Sequence, residues 1–179
     1  MRSPAPGGWS EARPVWRRVG LFLLLWLLLQ CGWQAARGTA VERWVIDGMT
    51  VETSVALINL LTPHVAAQAS AASIAATGGG ITIRSGCEGT ELLFPVLAAL
   101  WAWRLGARTR LFGTIAAVML VFSLNQLRLL ALFYSYRDDP LLFGRLHGLV
   151  TPLALVLCLL GFFVLLLRWD RGRPSGDAV

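Results

Sequence analysis

The chain has 179 residues, 56% of them apolar and 15% charged. Its mean hydropathy of +0.62 places it among integral membrane proteins and excludes an ordinary soluble domain. All 16 basic residues are Arg and the net charge is +6, but they flank apolar runs and form no stripe, which argues against a nucleic-acid partner.

Residues 1–18 contain Pro, Gly and Arg and read as a loosely ordered cytoplasmic segment. Val19 to Trp33 is apolar except for Gln30. A signal peptide has the same outline, but no clear small-x-small cleavage site directly ends the run, so it reads as a retained first span. Val41 to Gly80 is polar enough to lie outside the bilayer core. Val51, Val55 and Ile58 fall on one helical face there, as in an amphipathic helix at the membrane surface. Thr62 followed by Pro63 reads as the start of a second, Ala-rich helix running to about Thr77, ended by Gly78-Gly79-Gly80. His64 is then a polar residue at a helix start.

An extended segment, Ile81-Thr82-Ile83, leads into Arg84-Ser85-Gly86-Cys87-Glu88-Gly89-Thr90-Glu91 and a second span ending at Arg104. Ser85 followed by Glu88 reads as a capping box, which would put Cys87 in the first helical turn. Unpaired N–H groups and the positive dipole end favour a thiolate there, while Glu88 and Glu91 oppose one. Cys31 and Cys158 lie inside apolar runs, so no disulfide framework is expected. With no CxxC, HExxH or His-rich cluster, no metal or cofactor site is expected either.

The third span runs from Leu111 to about Tyr134 and carries Asn125, Gln126 and Arg128. A turn at Tyr136-Arg137-Asp138-Asp139-Pro140 precedes the fourth span, from near Leu146 to Trp169, with His147 in its first turn. The fold expected is all-α and polytopic, with four transmembrane helices plus an external amphipathic segment. Residues 19–169 form the membrane domain and residues 170–179 a cytoplasmic tail.

Arg2, Arg13, Arg17, Arg18, Arg104, Arg108, Arg110, Arg168, Arg171 and Arg173 fall on one side of this arrangement, and Arg37, Arg43, Arg84, Arg128, Arg137 and Arg145 on the other. The richer side is expected to be cytoplasmic, with both termini. Along helices, Cys87 lies about 25 Å from Arg104, Arg128 about 27 Å from Arg110, and His147 about 31 Å from Arg168. A hydrocarbon core is about 30 Å thick, so a thiol, a guanidinium and an imidazole meet at one outer level. That is a set suited to acyl transfer. The blander reading of Arg128 is a side chain snorkelling to the interface, although Asn125 shares its helix face and could orient it.

Gly86-Cys87-Glu88-Gly89, then Asn125-Gln126-Leu127-Arg128, then Leu146-His147-Gly148 resemble the exosortase/archaeosortase family, in its Cys…Arg…His order. The resemblance covers roughly residues 40 to 168. It is closest to a short subtype, such as the M type. It implies a membrane-embedded cysteine transpeptidase or peptidase of the bacterial inner membrane, with its active site at the periplasmic face. Cys87 would be the nucleophile, Arg128 the oxyanion stabiliser and His147 the general acid/base. Asn125, Gly86, Gly89 and Glu88 would support them. The implied partners are exported proteins carrying a C-terminal sorting signal (a short motif, a transmembrane helix and a basic tail), with an envelope lipid or glycan component as acceptor. The rival reading is a non-catalytic membrane scaffold or accessory protein for envelope polysaccharide assembly.

Overall fold

A computed structural model describes residues 8–172 apart from Ser85. The fold is all-α in plan. Four helices are long and apolar enough to cross a membrane: Val15–Ala36, Ala40–Leu61, Ala107–Asp138 and Pro140–Arg171. We label α1 Gly8–Ala36, α2 Ala40–Leu61, α3 the shorter apolar helix Thr90–Ala102, α4 Ala107–Asp138 and α5 Pro140–Arg171.

Helices α1, α3, α4 and α5 pack as a bundle whose two ends are marked by polar and aromatic contacts. At one end the Arg18 guanidinium lies 5.7 Å from the Trp103 ring centroid, and that of Arg110 lies 5.4 Å from Trp101. Phe163 packs edge-on against Trp103, and Asp170 accepts from the Gly106 backbone N–H. At the other end Trp33 donates to Glu88 and packs edge-on against Phe94, while Tyr136 meets Phe143. Thus the residues of the richer Arg group seen in these contacts gather at a single end, the Arg104 end, and Cys87 belongs to the opposite end. The remaining expectations about residues 1–7, residues 173–179 and Ser85 lie outside the described residues.

Helix α2 is long enough to cross a membrane, yet both its ends meet elements of the Cys87 end. Arg43 and Ile46 share a cleft with Ile83 and Arg84, and Thr62 hydrogen-bonds Tyr134 at 2.8 Å. Its buried face is Val51, Ser54 and Ile58, with Val55 half-buried beside them, a helical spacing that seats it on Leu129 and Phe133 of α4. Its middle, Trp44–Glu52, is π-helical. The Thr50 hydroxyl answers the wider turn by donating to the Val45 carbonyl at 2.8 Å, and Gln126 of α4 bonds both Ser54 and the Thr50 carbonyl. In an apolar bundle such polar groups need partners, and these pairings set where α2 sits.

Three expectations about local structure are corrected. The segment after Thr62 is not an Ala-rich helix. One 3₁₀ turn, Pro63–Val65, leads into an antiparallel sheet of β1 Gln68–Ser70, β2 Ser73–Ala75 and β3 Ile81–Thr82, paired in that order. Ala would favour helix, but a helix here would have only Val65 and Ile74 as large apolar side chains. Alternation along β2 instead buries Ile74 completely, beside Val65, Ile83 and Phe133. Ala66 and Ala71 both take φ +47°, which ends helical continuation, and Asn59 clamps the entry by bonding both the N–H and the C=O of Ala67. His64 is exposed on the 3₁₀ turn.

The second correction concerns α1, which is already helical from Gly8 although looser order was expected up to Arg18. The third concerns the turn at Tyr136 to Pro140, which is a single break at Asp139. Helix α4 continues to Asp138, and the Asp139 side chain caps Leu141 and Leu142 with Pro140 at the first helical position. His147 therefore sits inside a continuing helix, in the π-helical stretch Leu146–Val150, and not in a first turn.

The end-to-end separation makes topology measurable. A reporter fused after Arg108 and one inserted near Gly79 should read opposite sides of the membrane. The same side for both would contradict the bundle.

Candidate active site

The loop before α3 is built on two glycines. Gly86 has φ +94° and Gly89 has φ +89°, backbone positions that a side chain strains. A Cβ on Gly89 would also press on Val121 and Asn125 of α4, at 3.3 and 3.4 Å. A Cβ on Gly86 would run into the Glu91 carboxyl group at 2.7 Å. Gly89 is the residue that lets the loop lie against α4.

Gly89 is the N-cap of α3 and makes no side-chain cap bond, so Glu88 lies before the helix and not in its first turn. The Glu88 side chain is buried. Its oxygens accept from the Gly86 N–H at 2.6 Å, the Trp33 indole at 3.1 Å and the Thr90 hydroxyl at 2.9 Å. Helix α3 starts only at Thr90, so Cys87 lies in the turn before it and not in its first turn. The Cys87 N–H bonds the Arg84 carbonyl at 2.9 Å, closing that turn. The straight helical count from Arg104 to Cys87 consequently does not apply. Those from Arg110 to Arg128 and from Arg168 to His147 run along continuous helices.

The loop is tied to α4 by Asn125, whose amide donates to the Cys87 carbonyl at 3.0 Å. Asn125 is buried, and its side-chain oxygen has no partner among the described residues. Three residues on, roughly one turn along the same face, Arg128 is partly buried, and its Nε is fully enclosed with no acceptor among the described residues. Cys87 is a half-buried free thiol, whereas Cys31 and Cys158 are exposed on the flanks of the bundle.

His147 is placed differently. It is exposed and lies flat on the Phe143 ring, with centroids 5.6 Å apart and planes 5° from parallel. Among the described residues no hydrogen bond joins it to Cys87 or Arg128. Its π-helical stretch is supported by the Thr151 hydroxyl, which donates to the Leu146 carbonyl at 2.8 Å. Thr50 does the same five residues on from Val45 in α2. Such stretches recur at functional sites.

A cleft of about 600 Å³ opens beside the loop, between the π-helical part of α2 and the sheet. It is lined by Glu42, Arg43, Asp47 and Arg84 over a floor of Ile46, Ala72 and Ile83. Sequence reasoning missed two contributors to this region. Trp33 ends the first apolar run, and its bond to Glu88 is visible only in three dimensions. Gln126 was a visible signal, as a buried amide in an apolar helix, but its partners on α2 were not. Among the described residues no cluster of metal-ligating side chains occurs. No family model, curated protein or solved structure matches the chain.

The Glu88 contacts generate a stability test. Glu88→Ala leaves the Trp33 indole, the Thr90 hydroxyl and the Gly86 N–H without their shared acceptor, at a cost of about 1–3 kcal/mol. Glu88→Gln keeps one oxygen and should lose less. Thermal unfolding in detergent checks this, and an unchanged Tm for Glu88→Ala would contradict the assigned role.

Proposed function

We propose that the chain is a membrane-embedded cysteine transpeptidase or peptidase of exosortase type, processing C-terminal sorting signals of exported proteins at the outer face of a bacterial inner membrane. The observation that carries this reading is the docking of the Cys87 loop onto α4 by Asn125, one turn from an Arg128 whose Nε is enclosed and has no acceptor among the described residues. A guanidinium N–H held dry and without an acceptor is a donor in reserve for an oxygen that gains charge.

In the proposed reaction, Cys87 loses its proton to His147 and its sulfur attacks the carbonyl carbon of the scissile peptide bond. Arg128 offsets the charge on the tetrahedral oxygen. The C–N bond breaks as His147 returns the proton to the leaving amine, and a thioester remains on Cys87. Water, or an amine or hydroxyl of an envelope lipid or glycan, then attacks that thioester and frees the thiol. His147 must leave Phe143 or bond through substrate to serve in this way, in keeping with catalytic hydrogen bonds that tighten only in the substrate complex. The cleft lined by Arg84, three residues before Cys87, is where this reading seats the sorting signal.

The stacking of His147 on Phe143, with no hydrogen bond to Cys87 among the described residues, favours one rival, a non-catalytic scaffold in envelope polysaccharide assembly. Cys87→Ser separates the two readings, because a scaffold tolerates it and a thiolate enzyme does not.

Arg128→Lys is the sharper variant. A snorkelling Arg is replaced by Lys almost silently, whereas loss of a planar oxyanion donor lowers turnover by about 10²–10³. The expected result is an inserted, abundant Arg128→Lys protein with intact Cys87 labelling and processing reduced by about that factor. Near-normal processing would leave the mechanism without its oxyanion partner.

A further inference from the structure

We propose that the Arg104 end of the bundle holds one anionic phospholipid, its phosphate in a basic cleft and one acyl chain in the groove that continues from it between α1, α3 and α5. This site is independent of the peptidase reading and lies at the opposite end of the molecule from Cys87.

The cleft has a volume of about 460 Å³, within the range of small-molecule sites. Arg17, Arg18, Arg104 and Arg110 line it together with the indoles of Trp101 and Trp103, and no carboxylate is among its lining residues. Asp170, the nearest acidic residue named at this end, is engaged with the Gly106 N–H. Two of the guanidiniums are held in place, Arg18 over Trp103 and Arg110 over Trp101. Arg110 also donates through Nη2 to the Leu105 carbonyl at 3.3 Å, which fixes its plane. Its Nε is enclosed and has no acceptor among the described residues. A positive-inside bias alone places Arg at this face but does not fix guanidiniums on indoles around a cavity. Fixed guanidiniums with an unused donor suit a phosphate.

The cleft does not end at the arginines. Arg18, Ala102 and Trp103 also line an apolar cavity with Val19, Phe22 and Phe163. That cavity shares Phe22, Ala99 and Phe163 with a further one reaching Pro95 and Leu92. From Trp103 to Leu92 the helix rises about 16 Å. Half of a roughly 30 Å hydrocarbon core is about 15 Å, so the groove has the depth of one leaflet. A phosphate at the mouth and a leaflet-deep apolar channel below it match a phospholipid. A free phosphate would leave the channel unused. A sorting-signal helix with a basic tail would be repelled by the four guanidiniums.

The test uses the full chain purified in detergent, with phosphatidylglycerol, phosphatidylcholine and inorganic phosphate as probes. Bound lipid is read by native mass spectrometry and stabilisation by thermal unfolding. Phosphatidylglycerol should be retained and should raise the Tm, while phosphatidylcholine and inorganic phosphate should do neither. The double variant Arg18→Gln, Arg110→Gln should retain roughly tenfold less phosphatidylglycerol. Ala99→Phe, which fills the channel without touching an Arg, should lower retention as well, with helicity by circular dichroism unchanged. The double variant Arg43→Gln, Arg84→Gln at the other end should retain lipid normally. Equal retention of phosphatidylcholine, an equal shift with inorganic phosphate, an equal loss in the Arg43/Arg84 variant, or full retention in well-folded Ala99→Phe would each overturn the proposal.

Discussion

The bond from the Asn125 amide to the Cys87 carbonyl is the interaction on which the site depends. Cys87 is not held by a helix of its own, since α3 begins three residues later. Its position comes from a turn whose two glycines permit positive φ, whose Glu88 folds inward onto Trp33 and Thr90, and whose backbone is then pinned to α4. Glu88 couples the loop to α1 and Asn125 couples it to α4, so the loop is fixed between two helices of the bundle. In a low-dielectric interior each of these polar groups would be costly if left alone, and that cost makes the arrangement specific.

The same rule shapes the cap over this end. Helix α2 and the three-stranded sheet bury one apolar cluster, from Ile46 and Val51 through Ile74 to Phe133. Polar stitches locate that cluster: Gln126 to Ser54, Thr62 to Tyr134, and Arg137 to the carbonyls of Thr77 and Gly79. The molecule is thereby polarised. One end carries a capped loop with a thiol and a cleft, and the other carries arginines held on indoles. The apolar surface between them, on α1, α4 and α5, is largely exposed and suited to lipid contact.

Much of this was legible in the sequence because it rests on local patterns. Apolar runs bounded by Arg and Trp gave α1, α4 and α5; the second expected span is the shorter helix Thr90–Ala102, whereas Ala40–Leu61, expected outside the bilayer core, is long and apolar enough to cross. The spacing of Val51, Val55 and Ile58 gave the buried face of α2. Ile81-Thr82-Ile83 was correctly extended. The failures lie where a long-range partner overrides a local signal. Glu88 was expected in the first turn of a helix, but α3 begins only at Thr90 and the Glu88 carboxyl group is taken by Trp33, fifty-five residues away in sequence. The Ala-rich stretch has helix propensity, but the core needs Ile74 in a strand. Asp139 caps a helix that was expected to begin later, because the cap lies in a segment rich in turn formers. Around the candidate site, the sequence singled out Asn125, Gly86 and Gly89, and these are the residues that position the Cys87 loop. The stacking of His147 on Phe143 could not be read from spacing alone.

Cys87 carries the account's central claim, and a covalent adduct tests it most directly. The full chain would be incubated with a membrane-anchored substrate bearing a sorting signal, quenched in acid, and digested for mass spectrometry of the peptide containing Cys87. The account predicts a thioester-linked substrate fragment on Cys87 that is released by hydroxylamine and absent from Cys87→Ser protein. Substrate cleavage that proceeds in Cys87→Ser protein, or in wild-type protein with no trappable adduct on Cys87, would contradict it.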